Sequence, residues 1–237
     1  MNNKFMTNNI ARIKDALGYG SKYYDGPLIS YFDSLFKDLE KNLISPELAK
    51  SKVKNFFKSN SELKDFFLEQ YGNEKKNFEI IGSKLRPLHR IRLGIFYLDV
   101  DTFEPIHCHK GFTSFQIILS GKCVLNEFDK ILKSDDKVQY KSYTSQVIDT
   151  DDVMLNYSQY RDIHGFGAIN EPVRILTIGK YYGLFGKMNL NWLSQGINNR
   201  EYLDINEQIS IGNNINECPL IGEQEAYKKY KKTSTNT

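Results

Sequence analysis

The spacing of the hydrophobic positions changes near residue 78. Before that point, apolar side chains recur at intervals of three and four residues, which is the spacing of one face of a helix. The run from Ile29 to Leu43 predicts an amphipathic helix over residues 28–43, and we expect a shorter helix around Asn8–Leu17. An apolar helix face needs a surface to cover, so the pattern also predicts a second layer beneath these helices.

Two further helices are indicated by the residues at their ends. Ser45 and Pro46 are typical of an N-cap and a first helical position. Residues 59–62 read Ser-Asn-Ser-Glu, which predicts a capping box and a third helix that stops near Gly72. We predict that residues 1–77 form a helical extension packed on the rest of the chain, with a groove for a partner protein as the alternative. The side chains expected at the packed face include Phe32, Phe36, Phe56 and Phe66.

From residue 78 onward, the apolar positions form short runs rich in β-branched and aromatic residues, separated by Gly, Pro, Asn and Asp. Many short strands of this kind favour an antiparallel sandwich or barrel. The fold class we predict is mostly β with N-terminal helices. The β domain spans residues 78–182, and residues 183–237 form a C-terminal extension that ends in a frayed basic tail from Lys228 onward. The predicted strands are Phe78–Ile81, Ile91–Val100, Phe115–Leu119, Lys122–Phe128, Val138–Ile148, Val153–Tyr157 and Val173–Tyr182.

Composition and charge narrow the class of protein. The 237 residues include 15 Phe and 15 Tyr, which favours a globular chain over a disordered one. The net charge of +3 comes from 32 basic and 29 acidic residues, so we expect no nucleic-acid partner. No apolar run approaches the ~20 residues of a membrane span. Three scattered cysteines and no apolar leader at the N-terminus predict a cytoplasmic protein with no membrane partner.

The candidate chemistry centres on a pair of histidines. The chain has four histidines, and His107 and His109 lie one residue apart. Successive side chains on a strand point to opposite faces, so these two imidazoles share a face and Cys108 points the other way, where we expect it to pack against the helices. With His164 downstream, they would offer a transition metal three neutral nitrogens and leave positions open on an Fe(II)-type centre. The alternative is that all three are structural or surface histidines.

The residues around this pair resemble the cupin superfamily. Residues Thr102–His109, with the turn Ser120-Gly121, are similar to its first motif, and His164 ahead of Pro172 is similar to its second. The sequence Pro-Ile-His-x-His without a Glu ligand is most similar to the cysteine-dioxygenase-like thiol dioxygenases. The resemblance covers roughly residues 92–182. It implies a single cupin β-barrel of the jelly-roll type, with mononuclear Fe(II) on three histidines and O₂ as co-substrate; Zn, Mn and Ni are the alternative ions.

The chain departs from that family at several positions. Ser114 stands where cupins have a Glu and many thiol dioxygenases a Cys, so no thioether crosslink can form there. The Ser, His and Tyr that those enzymes carry on a later strand would fall near Ile175, Thr177 and Gly179, where none is kept. A metal held by neutral ligands alone stays cationic, which favours a substrate with a thiolate or carboxylate.

Further candidate residues follow from the chemistry of such a substrate. A carboxylate needs the planar fork of an arginine, and Arg90 and Arg92 share one strand face. Ser114 and Gln116 are two apart and should both face the interior, where they could contact substrate. Tyr97 and Tyr157 are candidates for a catalytic acid or a hydroxyl contact.

The primary hypothesis is a non-haem iron dioxygenase for a small, carboxylated, thiol- or amine-bearing metabolite. One alternative is a redox-neutral cupin isomerase or lyase, in which the metal polarises the substrate and a Tyr moves the proton. The other is a cupin that only binds a ligand. The expected partners are the small molecule and O₂, and the resemblance makes a homodimer a candidate assembly.

Overall fold

A computed structural model describes residues 27–81, 91–109, 112–157, 161–181 and 200–230. Three helices come first: α1 (Pro27–Glu40), α2 (Pro46–Ser59) and α3 (Ser61–Tyr71). Ser45 caps α2 as predicted, since its hydroxyl oxygen accepts a hydrogen bond from the Leu48 amide at 3.2 Å. The capping box predicted for α3 is wrong, because its N-cap residue is Asn60 and that side chain makes no capping bond. The short helix expected around Asn8–Leu17 lies outside the described residues.

The described residues form twelve strands and a fourth helix, α4 (Glu223–Tyr230). The strands are β1 (Phe78–Ile81), β2 (Ile91–Leu98), β3 (Phe103–His109), β4 (Phe112–Ser120), β5 (Cys123–Lys133), β6 (Lys137–Ile148), β7 (Val153–Asn156), β8 (Ile163–Ala168), β9 (Val173–Tyr181), β10 (Arg200–Leu203), β11 (Ile209–Gly212) and β12 (Ile215–Ile221). The first sheet has the order β1-β2-β9-β4-β7, and the second has the order β10-β3-β8-β5-β6-β12-β11. The fold is therefore mostly β with N-terminal helices, as predicted, and its two sheets form a sandwich of the jelly-roll type.

Both faces of the first sheet are buried. On β4, Phe115 and Ile117 belong to the apolar core shared with the helices, whereas Ile118 belongs to the core between the sheets. The ring centroid of Phe115 lies 5.9 Å from that of Phe32 and 5.3 Å from that of Phe36. The N-terminal helices thus cover one face of this sheet, and the second sheet covers the other.

Strand β8 was not among the predicted strands. Its glycines lower the β propensity of the segment, and close packing by β3 explains why they are needed. A Cβ on Gly165 would lie 2.8 Å from a side-chain carbon of Ile106, and a Cβ on Gly167 would lie 2.8 Å from the Phe103 ring. The glycines therefore let β3 approach β8 closely.

The C-terminal segment completes the second sheet, which extends well past residue 182. Strand β10 pairs with β3 and with β12, and β12 pairs with β6. Cys108 is buried on the outer face of this sheet, in a cluster with Val138 and Cys218, so the expectation that it packs against the helices is wrong. The basic tail expected from Lys228 begins inside α4, where Tyr230 is buried and donates a hydrogen bond to Asp204 at 2.8 Å.

Among the described residues, none of the helices has the length and apolar character needed to cross a membrane.

Candidate metal centre

A β-bulge in β3 sets the position of the site. Glu104 pairs with Phe166, but His107 pairs with His164, so β3 has one residue more than β8 over this stretch. The extra residue falls at Pro105-Ile106, where a proline is tolerated because the local ladder is interrupted. Since Phe166 and His164 are two apart on β8 and share a face, Glu104 and His107 also share that face although they are three apart.

The bulge also fixes the tautomer of His107. Its Nδ1 lies 2.8 Å from the carbonyl oxygen of Pro105. A carbonyl oxygen can only accept, so Nδ1 carries the proton and Nε2 carries the lone pair. The Nε2 atom is thereby prepared to act as a ligand.

The structure brings the three predicted ligands together. His107 and His109 lie on β3 and His164 lies on β8, with ring centroids 4.5 to 5.4 Å apart. One ring nitrogen from each residue lies within 4.8 Å of the other two, and His107 and His164 are 0% and 2% exposed. Ligands bound cis to one first-row ion are about 3.0 Å apart, so small rotations of the rings would bring the three nitrogens onto one ion.

Each of these rings presents one buried nitrogen that the protein leaves unsatisfied. His107 Nε2, His109 Nε2 and His164 Nδ1 have no hydrogen-bond partner among the described residues. A buried polar atom without a partner is costly, and native proteins retain such atoms chiefly where they serve a ligand. The donor set therefore fits a metal ion.

All three imidazoles are held in the neutral form, which is the form that binds metal. Burial lowers the pKa of His107 and of His109 well below the usual value, and the neighbouring His164 and Arg200 lower both further. Burial and then Arg200 lower the pKa of His164 to about 3. At neutral pH, the cluster offers lone pairs without first losing a proton.

The first sheet places a row of side chains opposite the histidines. Cross-strand pairing aligns Arg92 on β2, Gly179 on β9, Ser114 on β4 and Asn156 on β7. These positions alternate with the residues that face the helices, so the row faces the second sheet. The glycine is required because a Cβ there would lie 2.0 Å from the ring of Phe112, and that ring packs 5.4 Å from His109.

Three of the four predicted substrate-binding residues lie in the described part of the chain. Arg92 is close enough to His109 to lower its pKa. Ser114 is linked to the cluster through the Asn156 amide, whose nitrogen lies 3.5 Å from the Ser114 hydroxyl and 3.1 Å from His164 Nε2. Gln116 is buried, and its Oε1 has no partner among the described residues. Arg90 lies outside them.

The two predicted catalytic tyrosines do not lie at the site. The hydroxyl of Tyr97 donates to Asp99 at 2.9 Å, and Tyr97 is on the same face of β2 as Leu93 and Ile95, which pack against the helices. Tyr157 is also in the core shared with the helices, and its hydroxyl donates to the Leu39 carbonyl at 3.3 Å. Both therefore point away from the histidines, across the first sheet.

Tyr202 is the tyrosine that the structure brings to the cluster, and sequence reasoning did not select it. It pairs with His107 across β10 and β3, and the ring centroids are 5.5 Å apart. Its neighbour Arg200 pairs with His109 and forms an ion pair with the buried Glu104. The hydroxyl of Tyr227 donates to the same carboxylate at 2.7 Å. No local pattern indicates these contacts, because β10 lies far from β3 in the sequence.

Glu127 and Asn156 are two further buried polar residues that the sequence analysis missed. Glu127 is the cross-strand neighbour of His164 and lies 3.5 Å from Arg161. Asn156 precedes the chosen Tyr157, and its alternation with the apolar Leu155 was the available indication that it faces the other way.

Comparison with known proteins gives little beyond these observations. No protein-family model matches the sequence, and no curated protein matches it. A cupin superfamily protein from Desulfitobacterium hafniense is 16% identical over 46% of this chain and 80% of its own length, with a TM-score of 0.33. A structure of DMSP lyases (RdDddP and RnDddQII) is 13% identical over 46% of this chain and 48% of its own, with a TM-score of 0.33. The Schizosaccharomyces pombe Cnp3 cupin domain is 14% identical over 52% of this chain and 71% of its own, with a TM-score of 0.34. At TM-scores this low, none of these likenesses bears on the activity of this chain.

Proposed function

We propose that this chain is a mononuclear non-haem iron dioxygenase of cupin type, in which His107, His109 and His164 bind one Fe(II). The observation that carries the proposal is the pair of buried, unpartnered Nε2 atoms on His107 and His109 beside a third neutral imidazole. Such a set of imidazoles suits divalent iron, and also Zn and Ni. The ligand motif that resembles the thiol dioxygenases favours iron among these ions.

The charge of the ligand set supports an anionic substrate. The metal-binding group found among the described residues contains histidines and no carboxylate. Neutral ligands leave the charge of the ion uncompensated, so a thiolate or carboxylate is attracted to it. When bound, Fe(II) supplies the electrons that let O₂ react with an organic substrate.

Residues of the first sheet would orient that substrate. Arg92 faces the cluster and offers two parallel hydrogen bonds to a carboxylate. Phe112 packs beside His109 and gives that side of the site an apolar surface. The substrate class that fits is a small carboxylate with a thiol or an amine.

The redox-neutral alternative depends on a tyrosine that transfers a proton at the metal. Tyr97 and Tyr157 lie on the helix side of the first sheet and cannot take that role, but Tyr202 packs beside His107 and could. We favour the dioxygenase because the ligand motif resembles that of the thiol dioxygenases.

The test is metal analysis of anaerobically purified protein, together with O₂ uptake on a panel of small thiols and amino acids. We expect about one iron per chain and O₂ consumption with an anionic substrate. His107→Ala should abolish metal binding, whereas Cys108→Ala, the neighbouring position on the outer face, should retain it. Tightly held zinc without any O₂ consumption would favour the Lewis-acid reaction, and no bound metal would refute the proposal.

A further inference from the structure

A second row of positions faces the space between the sheets, next to the row that contains Arg92. Cross-strand pairing aligns Gly94 on β2, Thr177 on β9 and Gln116 on β4. Each is two residues from a member of the first row, Arg92 and Ser114 among them, so it points to the same side, about 7 Å further along its strand. Gly94 has no side chain and Thr177 has a short one, so this row leaves space in front of the sheet.

The exposure of the residues shows that this space is open. Thr177 is on β9, which has a strand on each side, and it faces the second sheet, yet it is partly exposed. Arg92 is partly exposed too. The next positions along the same face, Ile175 and Ile118, are buried in the core between the sheets. The open space therefore adjoins the row opposite the histidines, and the apolar core closes its other end.

Gln116 places an unsatisfied acceptor at this space. It is 5% exposed, and its Oε1 atom has no hydrogen-bond partner among the described residues. Leaving a buried polar atom unpaired is costly, and native proteins keep such atoms chiefly where they serve a ligand. An amide oxygen only accepts hydrogen bonds, so the group that satisfies it must be a donor. The hydroxyl of Thr177, the cross-strand neighbour, can accept a second hydrogen bond from the same group.

We propose that Gly94, Thr177 and Gln116 form a subsite that binds a hydrogen-bond donor of the substrate, with Gln116 Oε1 as the acceptor. This inference rests on the proposed function, in which Arg92 binds the carboxylate. A carboxylate and a thiolate have no proton to donate, so neither satisfies Gln116. The substrate class is therefore a small carboxylate that also carries an amino or a hydroxyl group. Gln116 discriminates against an analogue that lacks this group, because its oxygen would then stay buried and unpaired.

The experiment measures the binding of matched molecules to the full-length, iron-loaded chain by titration calorimetry in the absence of O₂. One series is succinate, malate and aspartate, and the other is 3-mercaptopropionate, 3-mercaptolactate and cysteine. Within each series, the molecules differ only in a hydrogen, hydroxyl or amino substituent. For the wild type, we expect a donor-bearing member of at least one series to bind about 10- to 100-fold more tightly than the member without a donor. The hydroxyl and amino members show which donor the subsite prefers.

Three variants assign this preference to Gln116. Gln116→Leu removes the acceptor and keeps a side chain of similar size, so it should abolish the preference while the iron content stays unchanged. Gln116→Glu keeps an acceptor oxygen and should retain the preference. Gln146→Leu is the matched control, because Gln146 is exposed on β6, and it should behave as the wild type.

The outcomes separate this inference from the proposed function. If the wild type holds iron but shows no preference for a donor in either series, or binds none of the molecules, the subsite is refuted. An unchanged preference in Gln116→Leu would also refute it, since another group would then bind the donor. If Gln116→Leu does not fold, Gln116→Glu decides: a retained preference supports the subsite and a lost one refutes it. If the wild type binds no iron, the proposed function fails and this inference fails with it.

Discussion

At the scale of single residues, Arg92 carries the charge that the proposed substrate needs. Arg92→Lys keeps the positive charge but loses the planar fork that binds both oxygens of a carboxylate. We expect KM for the anionic substrate to rise while the iron content stays unchanged. Steady-state O₂ uptake together with metal analysis measures both quantities.

Arg174→Lys is the control for this prediction. Arg174 is on β9, and its guanidinium carbon lies 5.2 Å from the ring centroid of Tyr97, on the helix side of the first sheet. The substitution is chemically the same, but it should leave KM unchanged. An equal KM for wild type and Arg92→Lys would mean that Arg92 does not bind the carboxylate.

The alternation of a strand explains which site residues the sequence could predict. His107, His109 and the opposite facing of Cys108 follow from two-residue periodicity, and the structure has this arrangement. The same rule shows that Arg92 and Tyr97 must lie on opposite faces, because they are five residues apart on β2. Periodicity assigns residues to a common face but does not say which face holds the site.

At the scale of elements, a buried charge holds α1 to the first sheet. Lys180 on β9 is 2% exposed, and its Nζ lies 3.1 Å from a carboxylate oxygen of Asp33 and 3.4 Å from one of Glu40. The carboxylates are each about one-third exposed, so water can solvate them without Lys180. The ammonium group of Lys180 is buried, so water cannot solvate it in place of the carboxylates.

Removing the carboxylates of Asp33 and Glu40 should therefore destabilise the protein more than removing the charge of Lys180. Replacing both carboxylates, by Asp33→Asn with Glu40→Gln, leaves a buried charge unpaired and should lower the free energy of unfolding by about 3–5 kcal/mol. Lys180→Met removes the charge and keeps an apolar side chain of similar length, so the loss should be smaller. Urea unfolding of the three proteins gives the comparison. If Lys180→Met lowered the free energy of unfolding more than the double carboxylate variant does, the unpaired charge of Lys180 would not be the main cost.

The same contact predicts an effect of pH. Burial alone would raise the pKa of Asp33, but hydrogen bonds with Lys37 and Lys180 outweigh it and hold that pKa below its usual value. The stability from this pair is therefore present above the unfolded pKa of about 3.9 and is lost as the pH falls through the lowered pKa. In urea unfolding, Asp33→Asn should differ from the wild type near neutral pH and approach it in acid.

The helices and most strands were predictable because apolar residues recur with different periods in the two kinds of element. The sequence did not show which face of each strand points to the helices and which points to the second sheet. A sheet with one solvated face shows alternating apolar and polar residues, which identifies the buried side. In the first sheet both faces are buried, so Leu155 and Met154 on β7 are equally apolar although they face different layers. For this reason the sequence analysis chose Tyr157 and missed Asn156.

At the scale of the whole molecule, the C-terminal strands are part of the sheet that holds the histidines. β10 covers one edge of β3, and β12 covers one edge of β6. A chain that ends at residue 199 would expose both edges and the outer apolar cluster around Cys108, Val138 and Ile163, because Leu203 and Cys218 would be missing from it. We expect it to aggregate, as measured by the soluble fraction and by size-exclusion chromatography.

A chain that ends at Tyr230 is the control, since it keeps all four helices and twelve strands of the described residues. It should remain soluble and bind metal as the full chain does. If the chain ending at residue 199 were also soluble and bound metal equally well, β10 and β12 would be dispensable for the site. These pairings connect distant parts of the sequence, and for this reason the C-terminal segment was predicted only as an extension.

The pairing of β10 with β3 also fixes an order of events during synthesis. The ribosome releases the N-terminal part of a protein first, so His107, His109 and His164 emerge before Arg200 and Tyr202. Until then, the edge of β3 on which β10 later pairs has no partner, and neither Arg200 nor Tyr202 lies beside the histidines. In the growing chain, we therefore expect the histidines to be open to a metal ion from a side that β10 later covers.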